Sequence, residues 1–127
     1  MAESASSYHK PAATFVSILL HAGTNAHFMH LQTKSYAQHV ALGDFYEGII
    51  ELADTWAEAY QGCYEVIPTY PGDTFHLAKD PKAYLQSLSD YVAKARKTLP
   101  DETQLQNIVD EIAQLIDATL YKLRQFA

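Results

Sequence analysis

The sequence predicts an all-α fold, a four-helix bundle with one long crossover between its second and third helices. Three observations lead there. Apolar residues recur at helical spacing in four separate stretches. Capping residues and prolines punctuate the boundaries of those stretches. The irregular segment at residues 62–79 is far longer than the usual link between neighbouring helices, whereas a bundle with a crossover needs one such segment.

The first helix is expected from about Pro11 to about Gln32. Proline suits a first-turn position, where its missing N–H costs nothing. Phe15, Ile18, Leu19, Ala22, Ala26 and Met29 form the apolar stripe. Residues 1–10 then read as a short tail, and residues 11–127 as a single domain. The second helix is expected from Ser35, which with Gln38 has capping-box spacing, to about Gln61, with Gly62 as terminator. Gly48 lies inside it and costs up to about 1 kcal/mol relative to alanine, so close packing is expected there. In the connection, Tyr70-Pro71-Gly72-Asp73 reads as a turn.

Asp80 and Pro81 read as the cap and first position of the third helix, which is expected to reach about Thr98 before Leu99-Pro100 breaks it. The fourth helix starts near Asp101, whose spacing to Gln104 is another capping-box variant. Its stripe runs through Leu105, Ile108, Val109, Ile112, Leu115, Ile116, Leu120 and Leu123.

Composition narrows the function classes. Nine Lys and Arg stand against fifteen Asp and Glu, a formal charge of −6, and the basic residues do not cluster. A nucleic-acid binder needs such clusters to displace counterions, so that class is disfavoured. No apolar run is long enough to span a bilayer, and the N-terminus has no signal-peptide pattern. The only cysteine, Cys63, excludes an intrachain disulfide and fits a cytoplasmic location. It is expected to be a small, buried or half-buried residue.

The second helix carries the most informative pattern. Asp44, Glu47, Glu51, Asp54 and Glu58 fall within an arc of about 80°, opposite Leu42, Phe45, Ile49, Ala53, Trp56 and Tyr60. A solvated amphipathic face is the ordinary meaning of such a stripe. Ordinary faces, however, offset their acids with Lys or Arg three or four residues away. Here no Lys or Arg occurs between Lys34 and Lys79, while seven acids do. A bound cation, or basic residues from another helix or subunit, would relieve the repulsion. His27 and His30 close the first helix and His39 opens the second, so a short link brings them to one end of the bundle. Imidazole with carboxylate is a ligand set for iron, zinc or manganese. The alternative is that these histidines only cap and hydrogen-bond at helix ends.

From Ala12 to about Gly62 the chain resembles the Dps mini-ferritins. The resemblance rests on His27 near the end of the first helix, His39 twelve residues later, and the D-x-x-x-E pair Asp54 and Glu58, all in ungapped register. It implies a ferritin-like bundle that oxidises Fe(II) with peroxide or dioxygen and stores Fe(III). It also implies a two-fold dimer of the chain with itself, in which His27 and His39 of one copy face Asp54 and Glu58 of the other, within a dodecameric cage. Zinc or manganese are the other metals that this set admits. The chain departs from the family at Gly43, where many members have a further aspartate, and at Phe28, where they have tryptophan. It also lacks their extra helix, of which residues 73–79 could supply a turn. These departures leave a rival reading open, a bundle that acts as a structural or protein-interaction module without turnover. Trp56, between Asp54 and Glu58, reads as packing or as an electron donor beside the iron site.

Overall fold

A computed structural model describes residues 2–126, with side chains described from Ser7 onward. Four α-helices make up the fold: α1 Ala2–Gln32, α2 Tyr36–Cys63, α3 Pro81–Ala95 and α4 Thr103–Gln125. A 3-10 turn, Arg96–Thr98, follows α3. Among the described residues no helix is long and apolar enough to cross a membrane.

The start of α1 corrects the expected boundary. The helix runs through the segment read as a tail and encloses Pro11. An interior proline loses one hydrogen bond and crowds the preceding turn, a cost of about 3 kcal/mol. Contacts of that early segment oppose this cost. Tyr8 packs on Tyr64 with ring centroids 5.7 Å apart, and His9 bonds Tyr60 and Glu65 at 2.8 Å each.

The Ser35 cap forms as its spacing implied, its hydroxyl accepting from the Gln38 N–H at 3.2 Å. The reciprocal half of the box does not form. The Ser35 N–H donates to Thr33 Oγ1, which itself donates to Gln38 Oε1. Gly62 does not end α2. The helix continues through Cys63 to the Tyr64 cap, and no glycine among the described residues takes a positive φ. Gly48 meets its expectation, because a Cβ there would sit 3.0 Å from Leu115 Cδ2.

Asp80 caps α3 as expected, accepting from the Lys82 N–H. The helix stops at Ala95, short of Thr98, because its last turn tightens to 3-10. At α4 the expected Asp101–Gln104 box is absent, and Glu102 occupies the cap position without a side-chain cap bond. Its carboxylate instead accepts from the Tyr64 hydroxyl, at 2.6 and 2.8 Å to its two oxygens.

Helix α2 packs between α1 and α4, and α3 packs against α4 and α1. Going round the bundle, the order is therefore α1, α2, α4, α3. Tyr64 at the end of α2 meets Glu102 at the start of α4, and Gly48 meets Leu115, so these helices are antiparallel. Arg124 near the end of α4 reaches Gln86 early in α3, while Arg96 reaches Gln106 and Asp110. Helix α3 therefore runs antiparallel to α4 and parallel to α2. Two parallel helices on a diagonal require a connection as long as the bundle.

Residues 64–80 make that connection, running alongside α1 and bending at Gly72 and Asp73. No helical turn forms at 73–79. The side chains of α1 pin the segment instead: the Ser17 and Thr74 hydroxyls bond at 2.6 Å. Buried Asn25 donates to the His76 carbonyl at 3.0 Å and accepts from the Ala78 N–H at 2.9 Å. One contiguous core fills the bundle and includes Phe15, Leu19, Phe45, Ile49, Trp56, Leu85, Val92, Ile112 and Ile116.

Candidate metal centre at the α1–α2 face

The periodicity of α2 divides its two faces cleanly. Leu42, Phe45, Ile49, Ala53, Trp56 and Tyr60 are buried, and Asp44, Glu47, Glu51, Asp54 and Glu58 are exposed. No Lys, Arg or His among the described residues forms an ion pair with these acids. The ion pairs described, His9–Glu65 and Arg96–Asp110, lie elsewhere. Asp54 and Glu58 stand one turn apart and interact. A hydrogen bond to Asp54, followed by its charge, holds the Glu58 carboxyl above the usual range. The raised carboxyl reflects the repulsion between two acids one turn apart.

The histidines form a second group, about 22 Å away along α2 at 1.5 Å rise per residue. His30 and His39 clasp each other. Nδ1 of His30 bonds the His39 carbonyl at 2.6 Å, and Nδ1 of His39 bonds the His30 carbonyl at 2.8 Å. A carbonyl oxygen only accepts, so each Nδ1 carries the proton and each Nε2 is left as the remaining ring nitrogen. The rings stack with centroids 3.7 Å apart and planes at 17°. The His30 carbonyl lies in the last turn of α1, where no later helical N–H can reach it. His39 therefore closes that helix end.

Gly43 makes room for the clasp. A Cβ there would stand 3.1 Å from Cε1 and 3.2 Å from Nδ1 of His30. His30 thus fills the space beside the position where the resembled family often carries aspartate. In the sequence His30 is marked only by its i, i+3 relation to His27 at the end of the first helix. His27 is exposed and stacks on Tyr46, with centroids 4.1 Å apart and planes at 7°. The structure therefore pairs His39 with His30, not with His27.

Nδ1–H donation to a carbonyl is also how metal-ligating histidines are oriented, and imidazole with carboxylate suits Fe(II), Zn(II) or Mn(II). In a single chain, however, no three His, Cys, Asp or Glu among the described residues come together closely enough to hold a metal ion. Within one chain the histidines and the Asp54–Glu58 pair are thus two separate groups, held apart by the distance along α2. None of the five residues lines the cleft of about 480 Å³ that His9, Lys10, Thr14, Pro68 and Tyr70 enclose between α1 and the connection.

The expectation for Cys63 is corrected. Cys63 is exposed, because α2 runs one residue past Gly62 and turns the thiol outward, within 3.4 Å of Gln104 Nε2. Asp110, Glu111 and Asp117 face outward from α4.

Residues 30–123 match a family of unknown function, DUF5856. The chain belongs to that family. The matched span contains His30, His39, Asp54 and Glu58, together with α2, α3 and most of α4. No curated protein and no solved structure matches the chain.

Proposed function

We propose that this DUF5856 chain is a Dps-like, ferritin-like iron protein, which oxidises Fe(II) at a site shared between two copies and retains Fe(III). The observation that carries the reading is the Asp54–Glu58 pair. A hydrogen bond between its two carboxyl groups, and then their repulsion, holds Glu58 above its usual range, and no Lys, Arg or His among the described residues forms an ion pair with either. Cation binding would discharge that repulsion. The order of the helices and the bundle-long crossover agree with the fold class that the resemblance implies.

A two-fold axis beside Glu47 and Gly48 would set α2 antiparallel to its copy. His39 of each chain would then stand level with the Asp54–Glu58 turn of the other. Leu20, Phe28, Leu31, Val40 and Ile50, large apolar residues exposed on α1 and α2, would gain cover in such a dimer. His39 and the carboxylates would hold the substrate Fe(II), with His27 and His30 beside them. Peroxide or dioxygen would accept the electrons. A dodecameric cage would follow only if further contacts closed the assembly.

Aerobic Fe(II) oxidation by the purified chain tests this reading. The parent should oxidise Fe(II) well above the buffer control, and His39→Ala and Glu58→Ala should each return it to that control. Mixing the two variants after exchange of subunits should restore about a quarter of the parent rate. Half of the dimers would then be mixed, and each would hold one complete site. Failure to recover would refute a shared site.

A second reading has its own support. The His30–His39 clasp satisfies both Nδ1 groups as a purely structural staple would, which fits a bundle that assembles with itself or another protein without turnover. Absence of oxidation by the parent would favour it. Zinc retained through purification, with no oxidation, would instead mark a single-metal site that stabilises the dimer.

A further inference from the structure

A chain of side chains at the opposite end of α2 remains unexplained by the metal reading. The Tyr60 hydroxyl stands 2.8 Å from His9 Nδ1, and His9 Nε2 stands 2.8 Å from Glu65 Oε1. A carboxylate accepts, so Nε2–H donates to Glu65. In that tautomer Nδ1 is the lone-pair nitrogen and accepts the Tyr60 O–H. Tyr60 is fully buried, while the His9 side chain is 15% exposed and that of Glu65 64%. The relay therefore runs from a buried phenol to water. Burial, and then the Glu65 charge, hold the Tyr60 phenol above its usual range, so it is protonated at rest.

Trp56 packs one turn before Tyr60, with ring centroids 5.4 Å apart and planes at 14°. Its Nε1–H is buried without a partner. A tryptophan that lost an electron there could not pass its proton to a base. Tyr60, its stacked neighbour, can. Oxidation is easiest where electron and proton can leave together, so an electron vacancy on this aromatic column would come to rest on Tyr60.

We infer that Tyr60 is a redox-active tyrosine, with His9 as its proton acceptor, that traps one-electron oxidants such as the hydroxyl radical. In the step, the Tyr60 O–H bond breaks and its proton forms an N–H bond at His9 Nδ1. The electron leaves for the oxidant, and a neutral tyrosyl radical remains. The hydroxyl radical gains the electron to become hydroxide, which takes a proton from solvent as water. The imidazolium can release its Nε2 proton through Glu65. The inference stands independently of iron, because its test supplies the oxidant.

Tyr64 is the competing site, since it stacks on Tyr60 at 5.2 Å and donates to Glu102. Tyr8 packs on Tyr64 from α1. The test uses the full chain, a photo-oxidised ruthenium polypyridyl complex as oxidant, and electron paramagnetic resonance of the trapped radical. The parent should give one dominant neutral tyrosyl signal, coupled to an exchangeable proton and to isotopically labelled histidine nitrogen. Tyr60→Phe should remove it, and Tyr64→Phe should retain it. His9→Gln should slow tyrosyl formation by about a hundredfold, the lower end of what a positioned base contributes. A signal unchanged in Tyr60→Phe, or a parent radical without histidine coupling, would overturn the assignment. The coupling is read on the parent, so the test does not depend on any variant folding.

Discussion

Replacing Gly43 by alanine tests whether the His30 ring occupies the space beside it. Three glycines lie on α2, and their surroundings differ. Gly62 has nothing within 4 Å of an added Cβ, whereas Gly43 has the His30 ring at 3.1 and 3.2 Å. In an open helical position, alanine gains up to about 1 kcal/mol over glycine. Gly62→Ala should therefore stabilise the fold, by less than that limit because the position is near the helix end. At Gly43 the same gain meets a ring that must move by a few tenths of an ångström. The ring is pinned by its bond to the His39 carbonyl and by its stack on His39. Overpacking of this kind costs about 1–3 kcal/mol, so Gly43→Ala should lie between neutral and about 2 kcal/mol destabilising. Urea denaturation of the parent, both variants and the Gly43→Ala/His30→Ala pair measures this. In the His30→Ala background, Gly43→Ala should become stabilising. If Gly43→Ala stabilises the parent as much as Gly62→Ala does, the ring is not there and the clasp is wrong.

Other consequences follow from the same contacts. In Asp54→Asn the Glu58 carboxyl should return towards its ordinary range, as read by carboxyl-carbon NMR titration. Because the folded chain holds that proton more readily than the unfolded one, the parent gains stability as pH falls through the raised window, and the variant should lose that gain. At alkaline pH the tyrosines act with the same sign. Burial pushes Tyr91 up to about 12, and burial together with Glu102 holds Tyr64 up as well. Their contribution should be complete below about pH 10 and lost as pH rises through about 12, which an alkaline melting series would show. Asn25→Ala should destabilise by about 2–3 kcal/mol in urea, since it strands the His76 carbonyl and Ala78 N–H under the crossover. A loss below about 0.5 kcal/mol would mean that the connection is held elsewhere.

The core was legible because burial imposes a period that the sequence displays. Every apolar position assigned to α2 is buried, and the acid stripe is exposed. The crossover was legible from its length alone. The helix ends were less so, because their signals depend on partners distant in the chain. Glu102 faces Tyr64 and not its own helix, and Pro11 sits inside α1 because His9 and Tyr8 engage the far end of α2. Local spacing contains no trace of either contact.

The candidate site divides in the same way. The Asp54–Glu58 pair is a local feature, one turn of one helix, and Asp54 holds the Glu58 carboxyl above its usual range. The histidine group is not local. His27 and His30 are both one link away from His39, and only three-dimensional packing decides which ring reaches it. A glycine at position 43 decides for His30, since any side chain there would press on that ring. The same residue that reads as a missing ligand in the sequence therefore reads as space in the fold. That exchange bears on the proposed iron site. A carboxylate beside His39 would add negative charge to the histidine group, whereas His30 brings an imidazole ring. The charge needed to hold a cation must then come from Asp54 and Glu58. Those two lie too far along the same helix to supply it within one chain, so any metal chemistry here depends on how two copies meet.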